Sequence, residues 1–149
     1  MEKQFISYNE DDTAKLAEQM ALVSRIGDIF ALEGTLGAGK SVFARAFIQK
    51  LTDATEVPSP TFTLVQTYLS PKGEIYHYDL YRLAKPEDIF ELNIEEAFHN
   101  AVNLIEWPEK MGVYTPRRIW HIRMNIENDK RLITIISPDN DERLLNVKL

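Results

Sequence analysis

The chain has 149 residues, enough for one domain with a real core, and its 44% hydrophobic and 27% charged content suits an ordinary globular protein. It contains no cysteine, which excludes disulfides, zinc–thiolate sites and cysteine nucleophiles. The net charge of −6, with no run of lysine or arginine, argues against a direct grip on DNA or tRNA, so a nucleic-acid role is expected to pass through a partner.

The N-terminus, MEKQFISYNEDDTAKLAEQ, is too polar for a signal peptide, and no apolar stretch approaches the roughly 20 residues of a membrane span. A cytoplasmic location without membrane contact is expected. FIS (Phe5 to Ser7) predicts a short first strand, and Asn9, Asp11 and Asp12 offer N-cap oxygens to a following helix. Leu16, Met20 and Val23, with Ala17 and Ala21, give that helix an apolar face that ends before Gly27.

DIFALE (Asp28 to Glu33) predicts a buried strand. Beyond the glycine-rich stretch that follows it, Phe43, Ala46, Phe47 and Leu51 recur at helical spacing. VPSPTFTLVQTYL (Val57 to Leu69) runs from a proline-rich loop into a strand. A turn at 71–73 and a return strand in EIYHYDLYRL (Glu74 to Leu83) complete an antiparallel hairpin. Lys85 to Asn100 predicts one broken helix or two short ones, and AVNLIEW (Ala101 to Trp107) a short buried strand stopped by Pro108. RRIWHIRMNIE and RLITIIS flank NDK as a second hairpin, and the tail is too short to assign. No repeat or linker divides residues 1–149, so a single α/β domain is expected, a three-layer sandwich with a mixed sheet and antiparallel hairpins.

The strongest chemical signal lies between the second strand and second helix. Gly34 to Ser41 reads G-x-x-x-x-G-K-S, the phosphate-binding loop pattern in its required strand–loop–helix setting. Glycines let successive N–H groups turn inward around a polyphosphate, and the helix N-terminus adds partial positive charge. Lys40 is expected to reach the β- and γ-phosphates and the Ser41 hydroxyl to coordinate Mg²⁺. A second acidic group is needed, and both Asp79 in HYDLYR and Glu106 in LIEW qualify. Glu106 is assigned to the metal and Asp79 to the attacking water, an assignment that spacing alone would allow to be reversed.

Trp107 either stacks on a base or caps the core beside the site. Thr61 and Thr63 lie either where a phosphate-sensing switch segment sits or in a plain turn before a strand, in a loop stiffened by Pro58 and Pro60 around Ser59. His77, His99 and His121 share no ligand spacing and read as ordinary strand or helix residues, while Arg82 and Arg131 are candidates to reach phosphate or nucleotide. No N/T-K-x-D segment is present to read guanine, and NDKR at 128–131 has the wrong order, which favours ATP.

Taken in order, LEGTLGAGKS, SPTFTLV, HYDLYRL and LIEWPE make the chain resemble the bacterial TsaE (YjeE) family of small P-loop ATPases, over nearly its whole length. The resemblance implies a role in forming threonylcarbamoyladenosine (t6A) at position 37 of tRNAs that read codons starting with A. It implies the partners TsaB and TsaD, the latter being the transferase, with tRNA reached through them and ATP hydrolysis supporting their turnover. Carried onto this chain, it implies a nucleotide-binding set of Leu36, Gly37, Ala38, Gly39, Lys40, Ser41 and Val42, joined by Trp107 and Arg131. Ser41 and Glu106 serve the metal, and Asp79 with Lys40 serve hydrolysis. Ser41 stands where threonine is more common in the family. Val42 replaces a second hydroxyl residue found in many members, so nucleotide affinity is expected to differ.

Three activities are compatible with the loop. A weak, Mg²⁺-dependent, partner-activated ATPase is favoured over a small-molecule kinase, for which the chain has little length to build an arginine-rich lid and an acceptor pocket. A nucleotide-binding module without turnover is the third.

Overall fold

The computed structural model describes all 149 residues. Its elements in chain order are β1 (Glu2–Ser7), α1 (Glu10–Val23), β2 (Ile29–Glu33), α2 (Lys40–Leu51), β3 (Val65–Ser70), β4 (Gly73–Asp79), α3 (Ile94–Asn100), β5 (Val102–Glu106), β6 (Trp120–Glu127) and β7 (Lys130–Ile136). Short 3₁₀ segments cover Pro86–Leu92, Pro108–Tyr114, Pro138–Asn140 and Glu142–Asn146.

One seven-stranded sheet runs in the order β1-β7-β6-β2-β5-β4-β3. Its centre is parallel, because β2 pairs with both β5 and β6, and β5 with β4. The flanks are the expected hairpins, β3–β4 and β6–β7, and β1 closes one edge antiparallel to β7.

Alternation along the strands divides the core between two faces. Phe30 and Leu32 of β2, Val102 and Leu104 of β5, and Ile75 of β4 join Leu16 and Met20 of α1 and Phe43 and Phe47 of α2 in one buried cluster. Ile29, Ala31, Tyr78 and Ile105 face the opposite way, onto Ile94 and Ala97 of α3 and Ile89 and Met111 of the 3₁₀ segments. This is the expected three-layer sandwich. The Asn9 side chain caps α1 by accepting from the Asp12 N–H, and Glu10, Asp11 and Asp12 complement the helix dipole in its first turn.

Two strand boundaries differ from the sequence reading, and the expected break between Lys85 and Asn100 is found. The first strand begins at Glu2 rather than Phe5, because all six of its residues pair with β7. The return strand stops at Asp79, where the Leu80 N–H turns to the Glu106 carbonyl and the chain leaves the sheet. Between Lys85 and Asn100 the break falls at Asn93, whose left-handed backbone (φ 58°) separates a 3₁₀ segment from α3. The unassigned tail packs Leu144 and Val147 into the core, and Arg143 donates to Asp28 (2.7 and 2.9 Å) and Asp141 (2.8 Å).

Candidate functional site

The site is built where β2, β4 and β5 end at the carboxyl edge of the sheet. Register places Asp79 of β4 directly opposite Glu106 of β5. Period-two alternation puts Asp79, His77 and Ile75 on one face of β4 and Glu106 and Leu104 on the matching face of β5, which is the α1/α2 side. Two buried carboxylates therefore emerge beside the loop joining β2 to α2.

That loop leaves the start of α2 open. Its N-cap is Gly39, in the left-handed region at φ 112°, and contributes no side-chain oxygen to the first-turn N–H groups. An uncapped helix N-terminus with glycines before it is suited to an anion. Ser41 is exposed here, and Leu36, Gly37, Ala38, Gly39, Lys40, Ser41 and Val42 all line a cavity of about 400 Å³.

Lys40 is the cation of the site, and its surroundings explain its electrostatics. Its Nζ donates to the Gly34 carbonyl (2.7 Å) and lies 3.4 Å from the centre of the Trp107 ring. Burial lowers the pKa of this ammonium from its ordinary value, and Glu106, Glu109 and Asp79 oppose that shift by their negative charge. A partly desolvated ammonium with three carboxylates around it is poised to exchange a carbonyl contact for a phosphate.

The two acids are held differently. Asp79 has both oxygens engaged: Oδ1 accepts from the Tyr81 N–H (3.0 Å) and Oδ2 from the Thr61 hydroxyl (3.0 Å). Since the Thr61 proton is spent on Asp79, Ser59 donates to Thr61 (2.7 Å). Glu106 accepts from His77 Nε2 at Oε2 (2.7 Å), and its Oε1 carries no protein hydrogen bond.

The cavity also gathers residues far apart in sequence. Arg131 of β7 reaches over the loop to donate to the Gly37 carbonyl (3.2 Å), and Tyr8, Asn9 and Thr13 from the start of α1 line the wall with Asp129. Trp107 lines it beside Lys40, with its own backbone left-handed at φ 58° and Tyr81 packed on it at 5.0 Å. Thus Asp79, Glu106, Trp107, Arg131 and the loop from Leu36 onward meet at one cavity. Thr61 joins them, whereas Thr63 bonds Gln66 outside the cavity and Arg82 lies over the Phe62 ring. His121 pairs with Glu33 and His99 with its own helix, as ordinary structural residues. His77 departs from that reading because it bonds Glu106, and the spacing H-x-D, which puts His77 and Asp79 on one face, is the signal that would have found it.

Could these residues accept magnesium? No group of three or more carboxylate or imidazole side chains is close enough to hold a metal alone. Magnesium held with a polyphosphate needs only one or two protein ligands and fills its shell with phosphate oxygens and water. Ser41 and Glu106 fit that requirement, each presenting an oxygen free of protein hydrogen bonds.

The model of the family described as threonylcarbamoyl adenosine biosynthesis protein TsaE matches residues 7–133. A tRNA threonylcarbamoyladenosine biosynthesis protein TsaE of Rickettsia felis is 42% identical over 140 residues, spanning 93% of this chain and 82% of that protein. The Bacillus subtilis protein of the same name is 32% identical over 139 residues, 92% of this chain and 87% of its own length. Among solved structures, Bacillus subtilis YdiB superposes with a TM-score of 0.79 at 29% identity, covering 97% of this chain and 91% of that one. Sequence and fold agree, and the chain belongs to the TsaE family of tRNA threonylcarbamoyladenosine biosynthesis.

Proposed function

We propose that the chain binds ATP with magnesium in the cavity at the head of α2 and hydrolyses it slowly alone and faster with TsaB and TsaD. In this way it supports t6A formation at position 37 of tRNAs that read codons starting with A. The observation that carries the reading is the meeting of Lys40, Asp79 and Glu106 at the uncapped N-terminus of α2.

Each residue then has a task set by its geometry. The backbone from Leu36 to Ser41 and the α2 N-terminus cradle the polyphosphate, and Lys40 leaves the Gly34 carbonyl to neutralise it. Ser41 and Glu106 would hold magnesium, which when bound withdraws charge from the β- and γ-phosphate oxygens. The free Oε1 of Glu106, against Asp79 oxygens that each already accept one hydrogen bond, favours Glu106 for that place, and the remaining lone pairs of Asp79 are left for water. Asp79, fixed by Thr61 and Tyr81, orients the attacking water. Arg131 clamps the outer loop, and the absence of a guanine-reading segment favours adenine. An acidic chain leaves tRNA binding to its partners.

The fate of the γ-phosphate tests this. Its release as free phosphate, faster when TsaB and TsaD are added, is expected. Transfer to a metabolite would make the protein a small-molecule kinase, and intact ATP with both partners present would refute hydrolysis.

A further inference from the structure

We infer that His77 is a positioning residue that aims Glu106 at the metal place. Both side chains are almost wholly buried, 3% and 4% exposed, and His77 Nε2 meets Glu106 Oε2 at 2.7 Å. A buried carboxylate needs a donor, and on this face of the sheet the imidazole supplies it. The tautomer follows from the partners: a carboxylate oxygen accepts, so Nε2 carries the proton, and Nδ1 is left buried with no hydrogen-bond partner.

An imidazole with one nitrogen unpaired is a poor device for stability alone, because it leaves a polar atom desolvated. Its one bond goes to Oε2 of Glu106 and leaves Oε1 uncommitted. Strand geometry makes the contact rigid. His77 lies opposite Leu104 across the β4–β5 ladder, one pleat before the Asp79–Glu106 pair, so donor and acceptor stand on adjacent central strands and not on loops. Partners of this kind, bonded to the other oxygen of a ligating carboxylate, fix its orientation and raise metal affinity. His77 acts this way only if Glu106 serves the metal, as proposed above.

The test separates the two ideas. A fluorescent non-hydrolysable ATP analogue is titrated into the whole protein at fixed concentration while Mg²⁺ is varied, giving the Mg²⁺ midpoint for tight nucleotide binding. Glu106→Gln examines the metal reading itself. His77→Gln keeps a donor at the Nε2 position, His77→Asn moves it back to the Nδ1 position and away from Glu106, and His77→Leu removes the donor altogether while keeping a similar volume if Asn unsettles the fold. Thermal unfolding of each variant gives the folded fraction at the assay temperature.

His77→Asn and His77→Leu are expected to raise the Mg²⁺ midpoint about tenfold or more, with nucleotide affinity in the absence of Mg²⁺ unchanged, and His77→Gln to stay within about twofold of the wild type. A raised midpoint in Glu106→Gln with a wild-type midpoint in the folded His77→Asn and His77→Leu variants would overturn the role of His77 and leave the metal reading standing. A His77→Gln midpoint as high as that of His77→Asn would overturn it too, because the donor would not be what matters. An unchanged midpoint in Glu106→Gln would remove the metal reading and the inference together.

Discussion

Gly34 and Gly37 occupy the same loop, yet alanine at the two positions should fail for different reasons. Gly34 has φ +152°, and a Cβ built there would lie 2.7 Å from the Met124 backbone oxygen and 3.0 Å from the Ala38 Cβ. Neither neighbour is a flexible side-chain end: one is backbone of β6 and the other a buried methyl. Relief requires the loop to lift from the sheet. Backbone strain of about 1–3 kcal/mol and overpacking of about 1–3 kcal/mol sum to about 2–6 kcal/mol. For a chain of this size that lowers the unfolding midpoint by about 5–20 °C. Gly37 has φ +80° and no atom within 4 Å of its would-be Cβ, so only the conformational cost remains, about 1–2 kcal/mol. Gly37→Ala should therefore melt within about 8 °C of the wild type, while losing nucleotide affinity because Gly37 lines the cavity. Circular dichroism melts without nucleotide, followed by nucleotide titration, read both effects. Equal melting losses, or a Gly34→Ala protein within about 2 °C of the wild type, would refute the close-approach argument.

Other consequences follow from the same contacts. Lys40→Ala should weaken polyphosphate binding by about 10–100-fold, the worth of a charge-assisted bond, in a nucleotide titration; unchanged affinity would remove the loop assignment. Thr61→Val, which takes one donor from Asp79, should slow phosphate release about tenfold with nucleotide affinity unchanged. Arg143→Met strips the partner from buried Asp28 and should cost about 3–5 kcal/mol in urea unfolding. The Arg143 guanidinium also holds the Asp141 carboxyl down at about 2 from its ordinary 3.8. The folded protein thus takes up that proton less readily than the unfolded chain. The resulting stability, up to about 2 kcal/mol, is present above about pH 4 and drains away as pH falls towards 2. Asp141→Asn should flatten that part of the acid unfolding curve.

Local signals carried much of this molecule. The strand–glycine–helix succession at 28–51, both hairpins and the buried β5 follow from periodicity and turn residues within a few positions of each other. What escaped depends on distant partners. β1 extends to Glu2 because β7, more than a hundred residues later, offers it a ladder, and nothing in its own polar start announces that. The tail is fixed by Arg143 reaching Asp28 across 115 positions. The candidate site divides in the same way. Loop residues declare themselves by motif, and Asp79 and Glu106 by their strand ends, but the place of His77 needs the β4–β5 register, and Tyr8 and Asn9 reach the cavity only once β1 is seated on β7. The proposed choice between the two acids draws on contacts that spacing does not reveal, namely which oxygens Thr61, Tyr81 and His77 already occupy.

The most direct test of the central claim is phosphate release from ATP by the purified protein, alone and with TsaB and TsaD, for the wild type and Glu106→Ala. Slow release that rises with both partners and disappears in Glu106→Ala is the expected result. Turnover that is indifferent to the partners, or that survives Glu106→Ala, would contradict it.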